Sequence, residues 1–176
     1  CAEAGKHVIC TKPIDITLER IDNLIAAAAR NNVLVGATHQ SRNYTVYKRV
    51  KAAVAEGRLG KLLYGNAIVP WFRSEEYYSD GWHGTKALDG GGALINQGIH
   101  YIDMLLWLMG KPTQVFGFAE NLGHKSIEVE DCANAVLKFE SGAHGIIQGT
   151  TCTYKGHQHR LEVHGTKGNI IVVGDQ

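Results

Sequence analysis

Two short apolar runs on either side of one amphipathic segment constrain the fold of the first forty residues. The first run, His7-Val8-Ile9-Cys10, ends near Lys12-Pro13, where proline prevents further ladder pairing. Apolar residues then recur at helical spacing, namely Leu18, Ile21, Leu24, Ile25 and Ala28. The second run, 33–37, follows directly. The pattern predicts a strand-helix-strand unit with parallel strands, buried because both runs are apolar throughout.

From about Asn43 the pattern changes to one helix followed mainly by strands. Val46, Val50 and Val54 form one stripe of a helix that ends at Gly57. Strands are expected at 62–72, 113–120, 132–139, 143–152, 160–164 and 169–173. Hairpin-like joins at 140–142 and 165–168 favour antiparallel neighbours, and a helix is expected from about Leu94 to Met109.

The fold class predicted from these patterns is α/β for residues 1–42 and α+β, with a large and mostly antiparallel open sheet, for residues 43–176. The segment Cys1-Ala2-Glu3-Ala4-Gly5 is typical of a final helical turn with its C-cap glycine. We therefore expect the intact protein to contain further residues before Cys1.

Composition narrows the class of partner. The chain has 176 residues and a net charge of +1, with no basic stripe for nucleic acid and no polybasic anchor or apolar span for a membrane. Its four cysteines lack CxxC spacing, which favours buried, reduced thiols in a cytoplasmic protein. Small molecules are the expected partners.

A helix that opens after Gly90-Gly91-Gly92 carries the first candidate site. Asn96 and His100 lie four residues apart and so project from one side of this helix. The imidazole, with an unperturbed pKa of about 6.5, could take a proton from a substrate hydroxyl, although a histidine that bonds only to backbone is the simpler alternative. The glycines either expose helix N–H groups to a ligand or form a hinge. Asp103 is interpreted as a structural hydrogen-bonding partner.

The carboxyl ends of the two parallel strands carry the second group of candidates. Lys12 could donate to a substrate oxygen from a backbone fixed by Pro13, or it could simply be a solvated strand end. Gln40 and Arg42 follow the second strand, and Arg42 could bind a phosphate or carboxylate with two parallel hydrogen bonds.

An aromatic loop supplies further candidates. Tyr77-Tyr78 and Trp82-His83 could stack on a sugar or a nicotinamide, or could form an oligomer contact. His157 and His159 have the spacing of a metal-binding pair, but no third ligand is nearby in the sequence, so no metal site is predicted.

Several of these motifs together resemble the Gfo/Idh/MocA oxidoreductase family over nearly the whole chain. They are the segments 4–8, Thr11-Lys12-Pro13, Gly81-Trp82-His83-Gly84, 90–100 and 164–168. The resemblance implies an N-terminal Rossmann domain that binds NAD or NADP, of which residues 1–42 are the C-terminal part. It also implies that residues 43–176 bind substrate and form a homodimer or homotetramer through the open sheet. The glycine-rich dinucleotide fingerprint does not occur in this chain.

The resemblance also implies roles for individual residues. The family's usual Glu-Lys-Pro is Thr11-Lys12-Pro13 here, and its proton-transfer histidine matches His100. The family residue that is often aspartate is Asn96, which can hydrogen-bond a substrate hydroxyl but carries no charge. The implied catalytic residues are Lys12, Asn96 and His100. The resemblance implies cofactor contacts for Lys12 and Trp82, and the predicted cofactor contacts are Thr11, Lys12, Pro13 and Trp82. Together with the candidates found from the residues themselves, the predicted substrate contacts are Lys12, Gln40, Arg42, Tyr78, Asn96 and His100.

The resulting hypothesis is an NAD(P)-dependent dehydrogenase that acts on a hydroxyl or keto carbon of a sugar, cyclitol or nucleotide sugar. It requires Lys12 and His100 to lie within the width of a small molecule. The alternatives are a module of the same fold that binds sugar without catalysis, and a purely structural oligomerisation domain.

Overall fold

The first of two compact units comprises Cys1–Gln40 and is a strand-helix-strand unit. A computed structural model describes residues 1–175 of the chain. Strands β1 (Val8–Thr11) and β2 (Val35–Thr38) pair in parallel, and helix α1 (Leu18–Arg30) lies between them in the sequence. Thr17 caps α1, since its side chain accepts a hydrogen bond from the Arg20 N–H at 3.3 Å. This confirms the predicted α/β order.

The prediction that both strands are buried is wrong. Alternate residues of β1 are exposed, and Ile9 is 79% exposed. Most of β2 is exposed as well. A parallel sheet is buried when helices cover both of its faces, and the described residues of this unit supply only one α-helix.

The second unit, from Ser41 onward, is built on a six-stranded sheet with strand order β4-β5-β6-β3-β7-β8. The strands are β3 (Leu62–Pro70), β4 (Pro112–Glu120), β5 (Cys132–Phe139), β6 (His144–Thr150), β7 (Arg160–Gly165) and β8 (Gly168–Val173). All neighbours are antiparallel except β3 and β6, which are parallel. The predicted mostly antiparallel sheet is confirmed, including both hairpins.

Two helices cover one face of this sheet. Helix α2 (Thr45–Ala55) packs on α3 (Ile99–Met109), and α3 packs on β3 and β7. A Cβ atom added at Gly65 of β3 would lie 2.9 Å from the Met109 sulfur, so glycine allows this close approach. The core here includes Tyr47, Met104 and Leu105, none of which is exposed.

The opposite face, which we call the open face, is described by the strand register. Cross-strand partners share a face, so its central row crosses the sheet as Phe116, Val136, Ile146, Asn66, Glu162 and Ile171. The β4 to β6 half is apolar, and Phe116 is 70% exposed. The β3 to β7 half is polar: the buried Glu162 accepts a hydrogen bond from Asn66 at 2.7 Å and pairs with Arg160 and His164.

Two further predictions concern the burial of the cysteines and the absence of an apolar membrane span. All four cysteines are free thiols, but Cys1 is exposed and the other three are half-buried, so the predicted burial is wrong. Within residues 1–175, no helix has the length and apolar character needed to cross a bilayer.

Candidate active site

The helix predicted from Leu94 to Met109 is continuous, but it begins with a π turn. Leu94–Gly98 is π-helical, with the Gly98 N–H bonded to the Ala93 carbonyl at 2.7 Å, and α3 continues from Ile99. Asn96 lies in the π turn, and His100 lies in the first turn of α3. Single π turns often occur at functional sites, which makes this segment the first candidate for chemistry.

A buried carboxylate holds the side chain of Asn96. Asn96 Nδ2 donates to Asp89 Oδ1 at 3.3 Å, and Asp89 Oδ2 accepts the Gly84 N–H at 2.9 Å. Asp89 is only 7% exposed. Because its two oxygens are anchored separately, the carboxylate fixes the orientation of the Asn96 amide relative to the loop that carries Gly84.

The glycine run before the helix binds a side chain of this protein. The Glu130 carboxylate accepts the N–H groups of Gly92 and Leu94, each at 2.9 Å, and the Glu130 carbonyl accepts the Ala93 N–H. The interpretation that these helix N–H groups are available to a ligand is therefore wrong. A carboxylate at a helix start accepts hydrogen bonds from the same N–H groups that an anionic ligand would use, and it interacts favourably with the same helix dipole.

The aromatic loop is ordered by Asp80. Asp80 Oδ1 accepts the N–H groups of Trp82 and His83, and Asp80 Oδ2 lies 2.6 Å from His83 Nδ1. The His83 ring packs in a tilted arrangement against Trp82 and Tyr77, with centroid distances of 3.5 and 4.4 Å. Trp82 is 43% exposed and so can meet a planar ligand, as the predicted cofactor contact requires.

Tyr78 occupies a packing position. It is buried, and its hydroxyl is hydrogen-bonded to Thr151 at 2.8 Å, while burial raises the pKa of its phenol. Its ring packs edge-on against His124. The predicted substrate contact of Tyr78 stays a prediction. Its half-buried neighbour Tyr77 accepts a hydrogen bond from Gln97 Nε2 of the π turn at 3.3 Å.

Arg42 and Asp103 form a bidentate ion pair. Arg42 Nε and Nη2 donate to the two Asp103 oxygens at 2.7 and 2.6 Å, and these bonds raise the pKa of Arg42. The guanidinium also lies 5.4 Å from the Trp107 ring. The Arg42 guanidinium, which was predicted to bind a substrate phosphate or carboxylate, is thus bound to Asp103 of α3. This agrees with the structural role predicted for Asp103. A substrate contact by the other edge of Arg42 stays a prediction.

In the first unit, the candidate residues follow the paired strands. Thr11 and Thr38 are in register, so Lys12 and His39 come directly after matched strand ends. Lys12 and Pro13 are half-buried, whereas Thr11 and Gln40 are exposed. The carboxyl ends of parallel strands are the usual ligand edge of an α/β sheet, and this placement fits the predicted role of Lys12.

The structure also reveals residues that the sequence analysis missed. Asp89 lies immediately before the glycine run, and this position was the only feature of the sequence that could have indicated its role. Arg73 follows β3 with no motif around it. Among residues 1–175, no group of three or more His, Cys, Asp or Glu side chains is arranged to hold a metal ion.

Comparison with known proteins places this geometry in a family. The model of the GFO/IDH/MocA C-terminal domain matches residues 47–171. The chain belongs to the Gfo/Idh/MocA family. The matched segment lies within the second unit and contains the π turn, Asp89, Asn96 and His100.

Three relatives illustrate the similarity to this Gfo/Idh/MocA chain. The 1,5-anhydro-D-fructose reductase of Ensifer adhaerens is 29% identical over 96% of the chain and 50% of its own length. The myo-inositol 2-dehydrogenase of Thermotoga maritima is 31% identical over 97% of the chain and 50% of its own length. The crystal structure of the WlbA dehydrogenase from Bordetella pertussis, in complex with NADH and UDP-GlcNAcA, is 34% identical with a TM-score of 0.93 over 99% of the chain and 50% of its own length. The chain therefore spans about half the length of the relatives it matches.

Proposed function

We propose that the intact protein is an NAD(P)-dependent oxidoreductase that transfers hydride between a nicotinamide and a hydroxyl or keto carbon of a sugar, cyclitol or nucleotide sugar. The observation that carries the proposal is the hydrogen bond from Asn96 to Asp89, since Asn96 lies in the same continuous helix as His100. The similar proteins that act on sugars and inositol support the substrate class. The NADH in the similar WlbA complex supports the cofactor class.

In the oxidative direction, His100 takes the proton of the substrate hydroxyl. Asn96, oriented by Asp89, hydrogen-bonds the sugar so that the reacting carbon is held in place. Lys12 donates to the substrate oxygen and favours the developing negative charge.

The strand ends of the first unit fit a nicotinamide cofactor. Thr11, Lys12 and Pro13 follow a parallel strand at the edge where such sheets bind ligands, and Trp82 offers an exposed ring. These four residues would hold the cofactor. A bound NAD(P) would supply the acceptor for the hydride that leaves the substrate carbon, while the proton leaves the hydroxyl oxygen on that carbon.

A kinetic experiment tests the proposed activity. The intact protein is assayed by nicotinamide absorbance with NAD and with NADP against myo-inositol, UDP-N-acetylglucosamine and UDP-GlcNAcA. We expect reduction of one cofactor by at least one of these substrates. Tight sugar binding with no hydride transfer to either cofactor would support the non-catalytic module instead. The choice of NAD or NADP and the cytoplasmic location stay predictions.

We also propose that a second copy of the chain covers the apolar half of the open face in a homodimer or homotetramer. Phe116, Phe118, Val136 and Ile146 are exposed together on three adjacent strands. Exposed apolar area of this kind is typical of a protein interface. The residues from Ser41 onward would thus combine substrate binding with assembly.

Sedimentation of the intact protein tests this assembly. We expect the wild type to sediment as a dimer or larger and Phe116→Lys to sediment as a monomer. Leu88→Lys is the matched control, because Leu88 is 62% exposed but lies outside the sheet. A monomeric wild type, or a Phe116→Lys variant that assembles normally, would contradict the proposal.

A further inference from the structure

A cavity at the end of β3 has the features of an anion site. Its volume is about 690 Å³, within the range of small-molecule sites. Trp71 and Phe72 form an aromatic wall, and Arg73 and Lys155 contribute two cations. Asp175 also lines the cavity, and its Oδ1 accepts from the Tyr47 hydroxyl at 3.2 Å and lies 3.4 Å from His159 Nε2.

Arg73 contacts two aromatic rings and a backbone carbonyl at this cavity. Its guanidinium carbon lies 5.5 Å from the Trp71 ring centroid and 5.2 Å from that of Tyr77. Its Nη1 donates to the Phe72 carbonyl at 3.0 Å. Aromatic contacts and one backbone bond restrict the guanidinium plane, so its other N–H groups are oriented before a ligand binds.

No carboxylate within residues 1–175 forms an ion pair with Arg73. Among residues 1–175, it is the one arginine that is not exposed, and no carboxylate of this part of the chain lies within 4.0 Å of it. Arg42 and Arg160, which are more exposed, both have such partners. Partial burial of an unpaired cation costs free energy, and an anionic ligand would remove this cost.

The aromatic residues connect the cavity to the helix of the proposed site. Trp71 packs edge-on against Tyr101 at 5.9 Å, and Tyr77 bonds to Gln97. Tyr101 and Gln97 are the neighbours of His100 and Asn96 in sequence. The helix that bears Asn96 and His100 therefore packs against Trp71, which lines the cavity.

We propose that this cavity binds the anionic group, carboxylate or phosphate, of an acidic sugar substrate. The inference rests on the proposed function and narrows its substrate class to charged sugars in preference to neutral polyols. The planar guanidinium of Arg73 binds two oxygens of the anion, and Lys155 adds a second positive charge.

Calorimetric binding to the intact protein, with and without NADH, tests the proposal separately from turnover. The probes are glucuronate, which has a carboxylate and no phosphate, UDP-N-acetylglucosamine, which has phosphates and no carboxylate, and the neutral N-acetylglucosamine. We expect one charged probe to bind at least about tenfold more tightly than the neutral sugar, and the stronger of the two identifies the anion.

Variants assign the binding to the cavity. We expect Arg73→Gln to lower the affinity for the charged probe by roughly tenfold without lowering the affinity for the neutral sugar. Lys155→Gln should lower the affinity for the charged probe by about threefold. Arg58→Gln, at an exposed arginine that does not line the cavity, is the control and should bind as wild type does. If Arg73→Gln unfolds, Lys155→Gln together with the salt dependence of binding decides the question.

Two outcomes would overturn the anion site: equal affinities for charged and neutral sugars, or an unchanged charged-probe affinity in the Arg73→Gln or Lys155→Gln variant. Anion binding without hydride transfer would refute the proposed function and leave the anion site intact. The two failures are therefore distinguishable.

Discussion

Asp89 holds Asn96 at the π turn: Asn96 Nδ2 donates to Asp89 Oδ1 at 3.3 Å, while the other carboxylate oxygen is fixed by the Gly84 N–H. An asparagine amide can present either its oxygen or its nitrogen to a substrate. The Asp89 carboxylate accepts from the nitrogen, and this bond sets which way round the Asn96 amide lies. Asp89 is thereby a positioning residue for the proposed reaction.

Replacing Asp89 with asparagine tests this positioning. The new amide nitrogen would face either the Gly84 N–H or the Asn96 amide, so one pair of donors would oppose each other. We expect kcat/KM of the intact protein to fall by roughly tenfold, with most of the loss in kcat. Glu128→Gln is the control, since the exposed Glu128 also accepts a loop N–H, that of Lys86. Equal loss in both variants would indicate a general loop defect.

The buried carboxylate of Asp131 should make stability depend on acid pH. It is fully buried and accepts the N–H groups of Leu122, Gly123 and His124, each at 2.8 Å. Burial opposes its ionisation, but these bonds and the one with the His124 ring outweigh burial, so the pKa of Asp131 is lowered. His124 also contacts the Arg73 carbonyl at 2.8 Å.

A carboxyl whose pKa is lower in the folded state stabilises the fold above its unfolded pKa of about 3.9. The contribution is lost as pH falls through the lower folded pKa. We expect Asp131→Asn to reduce the free energy of unfolding at neutral pH by roughly 3 kcal/mol and to flatten its decline in acid. Glu140→Gln, at an exposed ion pair, should change it by less than about 0.5 kcal/mol. Urea unfolding from pH 3 to 7 measures both, and an unaltered acid slope in Asp131→Asn would refute the assignment.

Gly92 is fixed by the backbone of Glu130. A Cβ atom at Gly92 would lie 1.7 Å from the Glu130 carbonyl oxygen, which cannot move without losing its bond from the Ala93 N–H. We expect Gly92→Ala to destabilise the protein by more than about 3 kcal/mol, measured by thermal or urea unfolding. Gly168→Ala, where a Cβ atom meets nothing within 4 Å, is the matched control. Equal stability of the two variants would contradict the close approach.

The Arg42–Asp103 pair is partly exposed and bidentate, so a double-mutant cycle can measure its coupling. We expect Arg42→Lys and Asp103→Asn each to reduce stability, with a coupling energy of about 1 kcal/mol. An additive cycle would show that the geometry does not contribute to stability. A rise in KM in Arg42→Lys that is absent from Asp103→Asn would support the predicted substrate contact of Arg42.

Local periodicity was sufficient to predict most of the second unit. Strand β5 runs over the predicted residues 132–139, because apolar alternation and the Glu140-Ser141-Gly142 turn determine both its pairing and its end. The parallel pairing of β3 with β6 joins residues about eighty positions apart, and no local pattern reports it.

The site was less predictable, because partners distant in sequence decide what a side chain does. Asn96 and His100 could be found from their helical spacing. Their support by Asp89, and the capture of the glycine-run N–H groups by Glu130, depend on loops that meet only in the folded unit. Tyr78 illustrates the same limit, since its pairing with Thr151 has no sequence signature.

The most direct test of the account is the turnover of the intact protein with His100→Ala, measured by nicotinamide absorbance across pH 5 to 9. We expect kcat to fall by at least about a hundredfold at every pH, with cofactor affinity unchanged. Turnover within about threefold of wild type would contradict proton transfer by His100.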